Sequence, residues 1–410
     1  MTAPNRQPVE ALPPQSPLGG HSLPPAFSSA TASPTSPARR RNHRRLILGL
    51  LGGAGLVAAL AITQVTANLG YDSAASRYRD AAQAVTGTQA RVGGEVTDLR
   101  SVTDAAELIL SAENRTISID AELEAALTGS VAAAETAASD ADVVVAAEVA
   151  AVGAKPAWFW ELLGATTALE QHLTDADRLS EDLSTTTTDI SSAEDGVTES
   201  GMAVLSAAGE AAAGFEAAHV SARNDAVVAL RNAAADALAA TTVDSSTATA
   251  YLALQDAATQ VVVTEAEELA EKSGPLQNAR LEIEAFARSL APGVLMEFDW
   301  SPVVNGAGYN GSMGGYTTWW WDDPGRAIIE LSNSVAEQWP AERSRALVAH
   351  EVGHAISVKC EGMYDSSTQD SIEKWATAWA ISMGYTDDAN GVWAYGYPPQ
   401  NYIDAAAGCR

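Results

Sequence analysis

Histidine is scarce in this 410-residue chain. Of the six, His21, His43, His172, His219, His350 and His354, only the last two lie in the C-terminal third, so no site with three histidine ligands can form there. Cysteine is scarcer still, with Cys360 and Cys409 the whole complement. Both fall in the same stretch, which reads as one disulfide in an extracytoplasmic setting; Cys360 as a metal ligand is the alternative. The bridge would close a loop that stabilises by about 4 kcal/mol in the chain-entropy model. Basic residues are outnumbered, 24 Lys and Arg against 52 Asp and Glu. Beyond residue 45 the balance is 18 to 51, a net charge of −33. That charge argues against nucleic acid and anionic lipid as partners of this part and serves solubility.

Long apolar runs are missing too, with one exception. Leu46 to Val65 are twenty uncharged residues, which as a helix would span about 30 Å, the thickness of a bilayer's hydrocarbon core. Arg39, Arg40, Arg41, Arg44 and Arg45 stand just before it. The positive-inside rule then places the N-terminus in the cytoplasm and everything after Val65 outside the cell membrane. Val65-Thr66-Ala67 offers a small-residue cleavage site as the alternative, but the long preceding region favours an uncleaved single-pass anchor. Gly49 and Gly53 carry one Gly-x-x-x-Gly spacing, a hint of self-association. Residues 1–45, rich in Pro, Ser and Ala up to residue 38, cannot bury a core and read as a disordered cytoplasmic tail.

Aromatics make up only 6% of the chain, and eight of the ten tryptophans lie from Trp300 onward. Residues 66–275 are instead dominated by Ala, Asp, Glu, Thr and Val. Val204, Ala208, Ala212, Phe215 and His219, and likewise Val227, Leu230, Ala234 and Leu238, recur at spacings of three and four, as packed helices require. This predicts an extracytoplasmic helical bundle or partly coiled-coil stalk, through which the chain could form a homo-oligomer. No repeat of fixed period stands out. His219 reads as a core or groove residue in preference to a ligand, and Trp158-Phe159-Trp160 as a cap between helices in preference to a partner site. Gly274-Pro275 ends the region, leaving 276–410 as a second folded domain.

That domain contains His350-Glu351-Val352-Gly353-His354. On a helix, positions i and i+4 share a face, so the two imidazoles can meet one metal ion with Glu351 beside a water at its open position. Residue frequencies give fewer than about 0.01 chance occurrences of this pattern. Uncharged neighbours, Leu347-Val348-Ala349 and Ala355-Ile356, suit a buried helix, with Val348, Val352 and Ile356 facing the core. Zinc needs a third protein ligand. Eighteen residues separate His354 from Glu373, which lies on a helix-like stretch carrying Trp375 and Trp379; Asp365 and Asp370 are competing ligands.

This spacing resembles the gluzincin branch of the zinc metallopeptidases, over the last third of the chain. The resemblance implies a zincin-like α+β domain, zinc held by His350, His354 and Glu373, and Glu351 as the general base of peptide hydrolysis. It departs from the pattern at Thr377, where an aspartate often orients a motif histidine. An oxyanion-stabilising histidine is also missing, so a tyrosine or arginine must serve; Tyr364, Tyr385, Tyr395, Tyr397 and Tyr402 all follow the motif. Gly314-Gly315 replace the Glu-Asn of the aminopeptidase motif Gly-x-Met-Glu-Asn, which disfavours an aminopeptidase.

Strand-like runs precede the motif at 294–300, 316–321 and 326–331, the last two joined by the turn signal Asp322-Asp323-Pro324-Gly325. Ala327 to Leu331 is the expected substrate-pairing edge, by analogy with zincins. Asn305 to Gly311 contains a literal G-x-G-x-x-G, but no helix pattern follows it, so it reads as a loop. The fold expected is therefore mainly α: a transmembrane helix over 46–65, a stalk over 66–275 and a small α+β domain over 276–410. The function expected is a membrane-anchored extracytoplasmic zinc endopeptidase acting on peptide or protein substrates. A helical envelope scaffold with a silent zincin-like domain is the alternative.

Overall fold

The computed structural model describes residues 44–410, with side chains from Gly55 onward except Pro324. The expected tail lies outside the described residues but for Arg44 and Arg45, and the side chains of 46–54, including Gly49 and Gly53, lie outside them as well. Among the described residues no helix is long and apolar enough to cross a membrane. The contacts divide the chain between Thr66 and Ala67, and residues 67–410 form one compact unit.

The chain is mainly helical. Helix α1 (Arg44–Leu110) is followed by α2 (Ala121–Val145), α3 (Phe159–Ala218), α4 (Asn224–Ala239) and α5 (Ser245–Glu271). Asp120 caps α2 through the Glu122 N–H, and Asp244 forms a capping box with Thr247 on α5, each accepting from backbone donors that a helix start leaves free. Burial shows a seven-residue period that sequence reading missed. In α1 the buried positions include Tyr71, Tyr78, Val85, Val92, Leu99 and Ala106; in α3 they include Leu162, Leu169, Ala176, Leu183, Ile190, Val197 and Val204. Such a repeat marks two coiled helices packing along one seam. They run parallel: the Tyr78 and His172 rings lie 5.6 Å apart, and Arg77 pairs with Glu170 at 3.7 Å. Helix α2 descends between them in the opposite sense, Arg100 pairing with Asp142 and Gln89 donating to the Val145 carbonyl at 3.1 Å.

Of the three residues expected to cap between helices, Phe159 packs against the helical core but Trp158 and Trp160 do not. Both are more than half exposed and stack on one another. His219 stacks on Phe215 and bonds its carbonyl, as a groove residue.

The C-terminal part comprises α6 (Gln277–Leu290), β1 (Leu295–Ser301), β2 (Gly315–Trp320), β3 (Asp323–Ser332), α7 (Asn333–Glu337), α8 (Glu342–Ser357), α9 (Gln369–Ser382), α10 (Val392–Tyr395) and α11 (Gln400–Ala406). Its hydrophobic core runs from Ile283 to Cys409 and is separate from that of the long helices, which runs from Ala67 to Val261. The sheet order is β1-β3-β2, with β1 parallel and β2 antiparallel to β3. The expected hairpin exists, but it turns at Trp321-Asp322, two residues early. Asp323-Pro324-Gly325 lies inside β3, where the pairing with β2 jumps from Ala327 to Asp323. An irregularity of this kind tolerates a proline that has no N–H to give.

A buried ionic network joins the two cores. Lys272 reaches Glu268 at 3.0 Å and Glu284 at 3.3 Å; Arg223 reaches Glu268 at 2.9 Å, and the Trp300 indole donates to Glu284 at 3.1 Å. Every charge has a partner, the condition under which buried ions are tolerated. Beside it the Asn224 N–H donates to Glu297 Oε2 at 2.7 Å, and its side-chain amide to the Ala327 carbonyl at 2.9 Å. Burial, against the Asn224 hydrogen bond, raises Glu297 above its ordinary 4.5, with Glu268, Asp299 and Asp225 adding to the rise. The folded chain then keeps a proton that the unfolded chain has lost, so this group's contribution to stability is full below about pH 4.5 and fades as pH rises through the raised value. Glu297→Gln stays neutral and still accepts from Asn224. It is expected to flatten that part of the stability profile in thermal melts between about pH 4 and about pH 7, and an unchanged slope would count against the assignment.

Candidate metal centre

Helix α8 runs through the middle of the C-terminal core. Val348, Val352 and Ile356 face inward as expected, and the side chains of His350, Glu351 and His354 are also buried. Gly353 lies against α9, where a Cβ would stand 2.8 Å from the Ala376 carbonyl oxygen. A side chain there would push the two helices apart, so the fourth residue of the motif sets how closely Glu373 approaches the histidines.

The three expected ligands converge. His350 Nε2 lies 3.2 Å and His354 Nε2 3.1 Å from Glu373 Oε2, and the two Nε2 atoms are 3.1 Å apart. Asp365 and Asp370 do not take part. Asp365 is exposed and caps Ser367, and Asp370 pairs with Lys374 on the outer face of α9. The other carboxylate oxygen of Glu373 is held by Gln369 at 2.7 Å, one turn earlier on the same helix. Sequence reading missed Gln369; its i−4 spacing from Glu373 was the available signal.

Thr377, one turn after Glu373, lies beside His350. Its hydroxyl donates to the Glu373 carbonyl at 2.8 Å, so its oxygen is left to accept from His350 Nδ1 at 3.4 Å. That assigns the His350 proton to Nδ1 and leaves a bare lone pair on Nε2, facing His354 and the Glu373 carboxylate. His354 Nδ1 is buried and has no partner among the described residues. Gly391 closes the far side of His350. It adopts φ +104°, and a Cβ there would come 2.7 Å from His350 Nδ1 and 2.3 Å from Thr377 Oγ1. Only glycine meets both demands.

These residues fit zinc. Tetrahedral coordination at bond lengths of about 2.0–2.1 Å sets neighbouring ligand atoms about 3.3 Å apart, close to the triangle observed. Three lone-pair atoms at this spacing are also poorly satisfied by the protons available. Burial pushes the Glu373 carboxyl up, but the imidazoles of His350 and His354 beside it outweigh this and hold it well below the usual carboxylate range. Its carboxylate is therefore ionised and ready to ligate.

Glu351 is positioned by β2. Gly315, Thr317 and Trp319 alternate with Tyr316 and Thr318, so one set faces α8. Thr317 donates to Glu351 Oε2 at 2.8 Å, Trp319 stacks on the His354 ring at 5.3 Å, and Gly315 leaves room for the Glu351 carboxyl. Burial raises Glu351 above its ordinary value, against the neighbouring His350 and the Thr317 bond.

A cleft of about 350 Å³ opens over the cluster, lined by Gly315 to Trp319 and Trp321 on one side and by Gln369, Ile372, Glu373 and Tyr395 on the other. The expected pairing edge, Ala327 to Leu331, is corrected: β3 is central, with β1 and β2 occupying both of its edges. Of the two outer strands, β2 is the one that lines the cleft. Among the five tyrosines after the motif, only Tyr395 lines the cleft. Tyr364 stacks on Trp375 at 4.6 Å, Tyr385 packs edge-on to Phe286, and Tyr402 bonds Ser371 at 2.7 Å. Burial, together with the Glu373 and Glu351 carboxylates, pushes Tyr395 up to about 12, which keeps its hydroxyl protonated as a donor.

The disulfide is present. Cys360 and Cys409 are bridged with their Cα atoms 6.0 Å apart, tying the 3-10 turn after α8 to the C-terminus. The Trp379 indole donates to the Cys409 carbonyl at 2.9 Å, so the bridge also fastens the ligand helix α9. No family model, curated protein or solved structure matches the chain.

Proposed function

We propose that the chain is a zinc-dependent endopeptidase held at the outer face of a cell membrane. The observation that carries this is the convergence of His350, His354 and Glu373 beside Glu351 beneath the unpaired edge of β2. Zinc held by those three would supply a Lewis acid with one open position, where the pKa of water falls to about 7. Glu351, oriented by Thr317, takes a proton from the attacking water and later returns it to the leaving amine. The β2 edge offers backbone groups to an extended substrate, which favours polypeptide over small molecules. Tyr395 donates to the oxygen on which negative charge develops.

Endopeptidase action is favoured because the cleft walls carry no lysine or arginine for a terminal carboxylate. Their carboxylates, Glu351 and Glu373, are both engaged, so none is spare for a terminal amine. The location rests on the apolar run 46–65 with its preceding arginines, on the exposed Leu56, Val57, Leu60, Ile62 and Val65 of α1, and on the disulfide.

Digestion of an unbiased peptide library by the full chain, with and without a chelator, tests the reading. Internal cleavage that stops on chelation and returns with zinc is expected; no cleavage by zinc-loaded protein would overturn it. Tyr395→Phe is expected to lower kcat about 10²-fold with zinc content and KM little changed, as for loss of one oxyanion donor. A change confined to KM would instead place Tyr395 in substrate binding.

A further inference from the structure

The tryptophan pair at the start of α3 is the feature that the zinc site leaves unused. Trp158 and Trp160 are 57% and 56% exposed, their rings 5.3 Å apart and within 3° of parallel, and Leu163 beside them is 54% exposed. Elsewhere on α3 the large apolar residues turn inward at seven-residue spacing. Paired exposed indoles on a strongly acidic helical surface, whose other exposed large apolar side chains are aliphatic, mark a contact with something apolar.

Two observations fix its level along α1. Tyr78 pairs with His172 and Arg77 with Glu170. The offset of the Arg77 and Glu170 pair, continued down the parallel seam, brings Trp160 to the level of Ala67. The segment that leads to α3 descends the same way: the Tyr78 hydroxyl bonds the Ala150 carbonyl, the Tyr71 hydroxyl bonds that of Gly153 at 3.3 Å, and Lys155 pairs with Asp72 at 2.7 Å. Trp158 follows three residues further on. The packed seam itself starts at Ala67, the first buried residue of α1 among those described. The apolar run of the sequence ends at Val65.

We infer that Trp158, Trp160 and Leu163 form a foot that rests in the headgroup region of the bilayer anchored by residues 46–65; this rests on the membrane-anchor reading above. Tryptophan is suited to that layer because its ring is apolar while its N–H still seeks a polar partner. The occupant is the lipid interface and not a protein groove, because the pair lies at the level of Ala67 and the apolar run of the sequence ends only two residues before it. No headgroup charge is required: Lys155 is matched by Asp72, and Glu161 lies between the tryptophans and Leu163. The foot would restrain the tilt of the long helical stem.

The test uses the full chain in phosphatidylcholine vesicles. It has no free cysteine, so Trp158→Cys supplies one thiol for an environment-sensitive fluorophore. Val143→Cys serves as control: Val143 is exposed, and its neighbour Asp142 pairs with Arg100 far up α1. Lipids spin-labelled near the headgroup are expected to quench the probe at 158 at least about twofold and to leave the probe at 143 unchanged. A vesicle-bound chain whose 158 probe is unquenched overturns the foot while the anchor stands. Release of the chain from the vesicles on a carbonate wash removes the anchor reading and the foot together. Probe self-quenching that rises with protein density, without lipid quenching, overturns the foot in favour of contact between two copies.

Discussion

Glu351→Gln is expected to abolish peptide hydrolysis while zinc stays bound. Glutamine preserves the shape of the side chain, and its amide oxygen can still accept from the Thr317 hydroxyl, which now lies 2.8 Å from the carboxylate. What is lost is the ability to take a proton from water, worth roughly 10²–10⁴-fold in rate. Glu351 is not among the three converging ligand atoms, so metal content should remain one zinc per chain. Metal analysis and single-turnover assays on the same preparation give both numbers. Full activity in the variant would show that another group serves as the base, and simultaneous loss of zinc would make Glu351 structural.

Glu373→Ala carries the other large effect. It removes one ligand of three and leaves two imidazole lone pairs 3.1 Å apart with no anion beside them. Zinc binding at stoichiometric metal should fall below detection, with hydrolysis falling in step. Equilibrium dialysis of the full chain against buffered zinc, wild type beside variant, checks this. Glu373→Asp sharpens the test: the shorter carboxylate retracts from the triangle, so zinc should bind weakly but measurably. If wild type binds no zinc, the enzyme reading fails and the helical scaffold with a silent C-terminal domain becomes the better account. If the Ala variant keeps its zinc, the third ligand has been misassigned.

Much of this site could be read along the chain because its determinants are local. His350 and His354 share a face by helix geometry alone, Val348, Val352 and Ile356 lie opposite by the same geometry, and Trp375 and Trp379 mark α9 as a buried helix. Choosing Glu373 over Asp365 and Asp370 required knowing which face of α9 meets α8, and spacing supplied only a preference. Thr317, Gln369, Gly391 and Tyr395 stayed hidden or undifferentiated. Each acts across a contact between elements, and nothing in its immediate neighbours reveals the partner. The seven-residue seam of α1 and α3 was available in principle. Alanine at several of its positions and alanine throughout the background blurred the contrast that makes such a repeat visible.

Local periodicity, residue chemistry and charge thus settled the helical character of the chain, the pair of imidazoles with a carboxylate between them, and the pairing of its two cysteines. Packing alone decided which outer strand of the sheet lines the cleft, which acid completes the triangle, which tyrosine faces the cleft and where the indole pair stands along the stem. The division has a physical cause. A helix repeats every 3.6 residues whatever surrounds it, whereas the partner across a packed interface depends on how the whole chain closes on itself.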